Sequence, residues 1–236
     1  MRGLHPGQRA AIFSGGFGTP ADDPDLYLWY DPNDSATVFT DSIGGTLATP
    51  TDVVKAIDNK EGTAARDATE ATNPPTLTTV GGKNILSFDG TEILTTGTLG
   101  TLAAASTPYT IYAVVDCDVN DNTLAMLGFS LNCWLRRAAT YQSYRGLQSF
   151  GALSGSGWHL LTHEVTAEAN ASLRQNGSVA VADYDPHSGW HSVSAFAMGD
   201  RPAGGINANV DIGAVVITTG PYNANIDAYL MSEFGI

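Results

Sequence analysis

The 236-residue chain carries 24 Asp plus Glu against 11 Lys plus Arg, a formal net charge of −13 with only 15% of residues charged. Its 43% hydrophobic and 9% aromatic content is enough for a buried core that needs no disulfide or metal to stand, which excludes wholesale disorder. A surface this acidic repels phosphate backbones and excludes nucleic acid as a partner; no stretch approaches the ~18 uninterrupted apolar residues of a membrane helix or the apolar region of a secretion signal, so no membrane insertion is expected.

Residues 1–25 are a Gly/Pro-rich lead, with Gly15-Gly16-Phe17-Gly18 and the turn-prone Ala21-Asp22-Asp23-Pro24, and read as an extended arm. Residues 1–20 hold Arg2, Arg9 and His5 and no acid, so the arm is complementary in charge to the rest of the chain. From Leu26 short apolar runs alternate with turn signals, and residues 26–30, 84–88, 92–96, 109–116, 123–129, 158–165, 171–174, 178–182, 193–198 and 210–218 each read as a strand. That many short strands make a sandwich or a barrel. Residues 109–115 and 210–217 are apolar on both alternating faces, as central strands covered on each side must be. Asn176-Gly177 supplies the positive φ angles of a type I′ hairpin. Val53, Val54, Ala56, Ile57 and then Ala64 to Ala71 allow a further turn or two of helix within 50–72, which Asn73-Pro74-Pro75 would stop. Clear helical spacing comes only at the end, with Ile226, Tyr229, Leu230 and Phe234 in one stripe behind Asn223 or Asn225 as cap. Two cysteines, Cys117 and Cys133, are no disulfide framework in a chain of this length and read as two thiols.

Several segments, in order, resemble one known pattern. Leu28-Trp29-Tyr30-Asp31-Pro32-Asn33-Asp34 resembles the "LWLDASD" opening of laminin-G-like, concanavalin A-like jelly rolls of bacteriophage structural proteins. Asp41-Ser42-Ile43-Gly44-Gly45-Thr46, Val53, Asp58-Asn59, Ala71 to Thr76 and Leu86-Ser87-Phe88-Asp89-Gly90 continue it. Trp158-His159 with Asn176-Gly177 resembles the "WHhv…vNG" hairpin, and Ile226-Asp227-Ala228-Tyr229-Leu230 to Ile236 the closing "iEaYLa.kyGi" helix. The resemblance covers nearly all of residues 26–236. It implies an all-β concanavalin A-like jelly-roll sandwich (21–236) with a short C-terminal helix and an N-terminal arm (1–20). It also implies a virion-surface protein assembled in the host cytoplasm, a homo-oligomer for which a trimer is one expected form, in contact with capsid or tail subunits. Trp29 and Trp158 belong to its strand motifs and are assigned to core packing.

The scaffold serves glycan binding, virion decoration and glycosidases alike, so the chemistry must come from residues. A laminarinase-type glycosidase on this scaffold sets its carboxylates as Glu-x-Asp-x-x-Glu, about 5–5.5 Å apart. The nearest match, Glu164-Val165-Thr166-Ala167-Glu168, has Thr in place of the Asp and reads as a solvated strand end. His159 and His163 share a strand face but sit about 13 Å apart along it, too far for one metal ion, and read as surface or partly buried side chains. His187 and His191 repeat the spacing across Ser188-Gly189-Trp190, a turn-like stretch for which a shared zinc is the sharper reading and ordinary surface histidines the plainer one.

Asp116, Asp118 and Asn120 place oxygen ligands at alternating positions after a strand, the donor type Ca²⁺ takes, although the EF-hand template fails at Asp121 and Leu127. Sugar recognition asks for an aromatic platform beside hydrogen-bonding groups. Trp190 with His187 and His191 is the first such set and Tyr141, Tyr144 and Arg145 the second, both read as loops; the plain alternative for Trp190 is packing over the sandwich edge. The arm residues Arg2, Arg9, Ile12, Phe13 and Phe17 suit docking on an acidic partner or a sheet edge of another virion subunit. The expected function is therefore a non-enzymatic virion-surface protein: a capsid decoration, head fibre or tail-associated projection that aids host adsorption. A glycan-binding receptor module of a tail fibre is the first alternative and a glycosidase the second. No cofactor beyond Ca²⁺ is expected.

Overall fold

The computed structural model describes residues 18–70, 72–97, 99, 108–117, 124–129, 132–137, 140–143, 148–152, 157–167, 170–184, 195–200 and 208–236. The strands within them are β1 (Leu26–Tyr30), β2 (Val38–Phe39), β3 (Ala56–Ile57), β4 (Ala68–Thr69), β5 (Thr76–Val80), β6 (Lys83–Asp89), β7 (Leu94–Thr96), β8 (Tyr109–Cys117) and β9 (Leu124–Phe129). They continue with β10 (Asn132–Arg137), β11 (Thr140–Ser143), β12 (Gln148–Ala152), β13 (His159–Ala167), β14 (Asn170–Gln175), β15 (Ser178–Tyr184), β16 (Phe196–Met198) and β17 (Asn209–Thr218), before helix α1 (Ala224–Phe234). They build two antiparallel sheets, one in the order β15-β14-β13-β8-β17-β6-β5 with β1 also on β17, the other in the order β12-β11-β10-β9-β16-β7-β4-β3-β2. The all-β jelly-roll sandwich with one short C-terminal helix is the expected fold.

The central pair is the one the sequence marks. β8 and β17 lie side by side, Val115 opposite Ile212 and Tyr112 opposite Val216. Their alternation serves two cores. Ile111, Ala113, Val115, Val210, Ile212, Val215 and Ile217 point between the sheets, while Tyr112, Val114, Ala214 and Val216 point outward under Ile226 and Leu230 of α1. Trp29 and Trp158 join the second cluster, Trp29 edge-on to Tyr229 and Trp158 against Phe234. The helix is closed by local chemistry at both ends. Asn223 Oδ1 accepts from Asn225 N at 3.0 Å, and Gly235 takes the left-handed conformation that lets its N–H reach the Met231 carbonyl.

All ten runs read as strands coincide with strands, with 193–194 outside the described residues. The seven further strands carry no usable period: β2, β3 and β4 are two residues long, β5 is mostly Thr, and β10, β11 and β12 belong to a polar meander. The helix allowed within 50–72 is absent among the described residues of that stretch, which hold β3, β4 and one short 3₁₀ turn at Ala64–Arg66. Tertiary pairing of Ala56 and Ile57 overrides the weak helical spacing there. The Asn176-Gly177 hairpin forms as expected, with φ of 49° and 74° between the paired Gln175 and Ser178. His159 and His163 depart from expectation. Both lie on the inter-sheet face of β13 and both are buried, since residues 159, 161, 163 and 165 share that face. Cys117 is buried, its thiol 3.3 Å from the Asn209 carbonyl oxygen; the Cys133 side chain lies outside the described residues.

Gly213 sits at the register shift of β17, between Ile212 and Ala214. A Cβ there would collide with the Phe234 ring. Gly213→Ala should push the end of α1 off the sheet and lower the free energy of unfolding by about 1–3 kcal/mol, measured by denaturant titration.

Burial holds the His163 imidazole down to about 3. Below pH 6.5 the unfolded chain takes up this proton and the folded chain does not, so stability falls with falling pH by up to about 1.4 kcal/mol per unit until about pH 3. His163→Gln should flatten that slope in urea titrations between pH 6.5 and 4, whatever it costs at neutral pH.

Candidate functional site

The first place where marked residues converge is the outer edge of β1. That strand pairs only with β17, so its other side needs partners for its backbone. The stretch after β3 supplies them: Asn59 Oδ1 accepts from Trp29 N at 2.8 Å, Lys60 N donates to the Trp29 carbonyl at 2.9 Å, and Arg66 Nη1 donates to the Tyr27 carbonyl at 2.7 Å. Charge holds the stretch in place. Lys60 Nζ lies 2.9 Å from Asp31 and 3.1 Å from Asp34 and sits over the Trp29 ring at 4.0 Å; Arg66 pairs with Glu61 at 2.9 Å and stacks 3.6 Å from the Tyr27 ring centroid. Asn59 N donates to Asp67 Oδ1 at 2.8 Å, and burial pushes the Asp67 carboxyl up. The Trp-Tyr-Asp-Pro-Asn-Asp and Asp58-Asn59 motifs are thus two halves of one clamp that seals a sheet edge, a structural task and not a ligand site.

The second place is the outer face of the helix-bearing sheet. Glu164, the candidate carboxylate, is already engaged: its Oε1 accepts from Tyr222 N at 3.0 Å and its Oε2 lies 3.7 Å from Arg174. Asp227, in the first turn of α1, is 1% exposed and accepts from Thr162 Oγ1 at 2.9 Å and from Tyr222 OH at 2.8 Å. Burial raises its carboxyl and, with Asp227 beside it, pushes the Tyr222 hydroxyl up to about 12. Arg174 caps the group by lying 3.9 Å from the Tyr222 ring centroid. This network ties α1 to β13 and β14. Sequence reading placed Asp227 only in the helix motif; the available signal was its position on the apolar stripe, next to Ile226 and three before Leu230.

Asp116 of the calcium candidate set ends β8 directly opposite Asp211 of β17, which is itself opposite Ser87 of β6. Burial first, and then the Asp116 charge, push the Asp211 carboxyl up against a lowering hydrogen bond from Ser87. Asp118 and Asn120 lie outside the described residues. Among the described residues no group of three or more His, Cys, Asp or Glu side chains is placed to hold a metal ion.

The glycan candidates fall at the loop end of the sandwich. Tyr141 belongs to the backbone of β11 rather than to a loop, and Tyr144, Arg145, His187, Trp190 and His191 lie outside the described residues, as do the arm residues Arg2, Arg9, Ile12, Phe13 and Phe17. What the strands fix is where the two candidate segments are tethered. Ser143 is opposite Trp134, one hairpin from the Asn132–Phe129 pair, and Phe129 is opposite Phe196. So 144–147 leaves β11, and 185–195 enters β16, at the same end of the sheet. Tyr184 leaves β15 opposite Ala171, at the end of its own sheet where Tyr109 meets Val165. The 118–123 segment starts from the opposite end, after Cys117 and beside Val210.

No family model matches the chain, and no curated protein matches it. Solved structures do. A sialidase of Trypanosoma rangeli, seen in complex with sialic acid, aligns at a TM-score of 0.64 and 14% identity over 90% of this chain and 34% of its own. A botulinum neurotoxin type C structure, from work on cell entry dependent on two ganglioside molecules, aligns at 0.56 and 12% over 88% and 51%. Domain 4 of an extracellular GH43 arabinanase from Geobacillus stearothermophilus, in complex with arabinotriose, aligns at 0.51 and 12% over 87% and 98%. The chain spans about a third of the sialidase, and at these identities what is shared is the β-sandwich fold.

Asn59 is buried and serves the Trp29 amide, the Glu61 amide and Asp67 at once. Asn59→Ala leaves the Trp29 N–H without its acceptor and should cost about 2–3 kcal/mol. The check is denaturant unfolding together with faster hydrogen exchange confined to β1.

Proposed function

We propose that this chain is a non-enzymatic module on the surface of a bacteriophage particle that recognises a host glycan through the loops at one end of its sandwich, with residues 1–20 anchoring it to capsid or tail subunits. The observation that carries the glycan reading is the shared tethering of 144–147 and 185–195. Two segments of unrelated sequence position, each with aromatic and hydrogen-bonding side chains, leave neighbouring strand ends at one rim. Stacking of an aromatic face on a sugar ring with polar groups around it needs such a convergence.

Two further points support the reading. The sandwich is shared with proteins whose names describe sialic acid, ganglioside and arabinotriose complexes. The nearest approach to a catalytic carboxylate pair is spent on structure, because Glu164 is held by Arg174 and Tyr222. The virion assignment rests on the motif resemblance, and the motifs that carry it form a single clamp around β1.

A glycan array probed with the full chain and with Trp190→Ala tests the site. Binding of a defined glycan class by the wild type, reduced at least about tenfold in the variant, is the expected result, since losing one stacked aromatic removes more than one decade of affinity. Equal binding by both proteins would move the site elsewhere, and no binding by either would end the glycan reading.

A further inference from the structure

The largest exposed apolar side chains of the described residues gather where β2 meets its neighbours. Ile43 is 90% exposed, Leu47 53% and Val53 44%. Leu47 bridges Phe39, the ring over which Gly44 turns back, so Ile43 and Leu47 flank one buried aromatic. The loop that presents Ile43 is preformed. The Asp41 carboxylate accepts from the backbone N–H of Ile43 at 3.1 Å, of Gly45 at 2.9 Å and of Thr46 at 2.7 Å. An isoleucine held out in water by a fixed loop is a docking knob, not a frayed side chain.

The rim of this patch is acidic. Asp41 stands at its head and Asp52 beside Val53; hydrogen bonds, from Gly45 first for Asp41 and from Thr49 first for Asp52, hold both carboxyls below the ordinary range, so both stay ionised. The chain has one segment of the complementary composition. Residues 1–17 precede the described chain, carry Arg2 and Arg9 with no acid, and follow Arg9 with Ile12, Phe13 and Phe17. We propose that the N-terminal arm of one copy docks on the Ile43–Leu47–Val53 patch of a second copy, its arginines meeting Asp41 and Asp52 and its Ile12 and Phe13 covering Ile43. Seventeen residues reach up to about 56–61 Å when extended, enough to cross to a neighbouring sandwich whose like charge keeps it from packing face to face. The inference is independent of the glycan site at the other end of the sandwich.

The test separates arm from patch. Ile43→Asp keeps the arm and spoils the patch, and deletion of residues 1–17 keeps the patch and removes the arm; Ile43 is a surface side chain, so melting temperatures should match the wild type. Light scattering after gel filtration should show the wild type as an oligomer and each variant alone as a monomer. Mixing the two variants should restore a one-to-one complex, with affinity at least about a hundredfold above that of either variant for itself. A monomeric wild type would overturn the proposal. So would an oligomer that survives Ile43→Asp, or a failure of the mixed variants to pair.

Discussion

Everything in this molecule depends on two strands that are apolar on both faces. β8 and β17 cannot border water on either side, so a second sheet must cover one face and another element the other. The inter-sheet core meets the first demand. The second falls to a helix of eleven residues whose stripe, Ile226 and Leu230 flanked by Tyr229 and Phe234, is too short to stand alone. Its stability comes from docking, and the docking is specified by polar groups as much as by area. Asp227 reaches down to Thr162, Tyr222 closes over Arg174, and the Asn223 N–H donates to the Tyr112 hydroxyl at 2.6 Å. Each of these bonds fixes the rotation of α1 on the sheet, which greasy contact leaves free.

The central strands, the terminal helix with its Asn223 cap and the Asn-Gly hairpin were legible in the sequence because each obeys a local rule: unbroken apolar alternation, a 3.6-residue stripe, two positive φ angles. The short strands β2, β3 and β4 were not, because two residues carry no period and their pairing partners lie far along the chain. The burial of His163 was missed for a related reason. Its strand mixes polar and apolar residues, yet β13 is covered on both faces, so Thr162 meets Asp227 on one side while His163 turns into the core on the other. Of the candidate site, composition named the aromatic and histidine residues, but only strand register shows that their segments start from one rim. The pairing of Asp116 with Asp211 is likewise a fact of register.

The clamp around β1 gives the resemblance a physical meaning. A motif of Trp, Asp and Asn on one segment and Asp-Asn-Lys on another has the appearance of a ligand site, with charged groups and an exposed-looking tryptophan. In the fold its side chains satisfy the free backbone of an edge strand and neutralise one another, so their spacing follows from edge sealing rather than from chemistry on a substrate.

The same logic extends to the other edges and bears on how the protein meets partners. The free side of β5 is strapped by residues 51–54, with Thr51 N donating to the Leu77 carbonyl and Val54 N to that of Pro75. Thr51 adopts φ of 84° to make the strap, a conformation costly for a β-branched residue and therefore maintained against strain. β2 is bridged by Leu47; β15 is broken by two register shifts and β12 by one, which twist their outer backbones away from a straight pairing line. With each described edge strapped, bridged or bulged, this sandwich is poorly suited to association by adding a strand. Contact with other chains then falls to side chains held out by fixed loops, as Ile43 is, and to segments that reach beyond the sheets. A crowded particle surface favours that division, because edges that cannot pair keep neighbouring copies from aggregating while a docking knob and a basic arm still join them in a defined way.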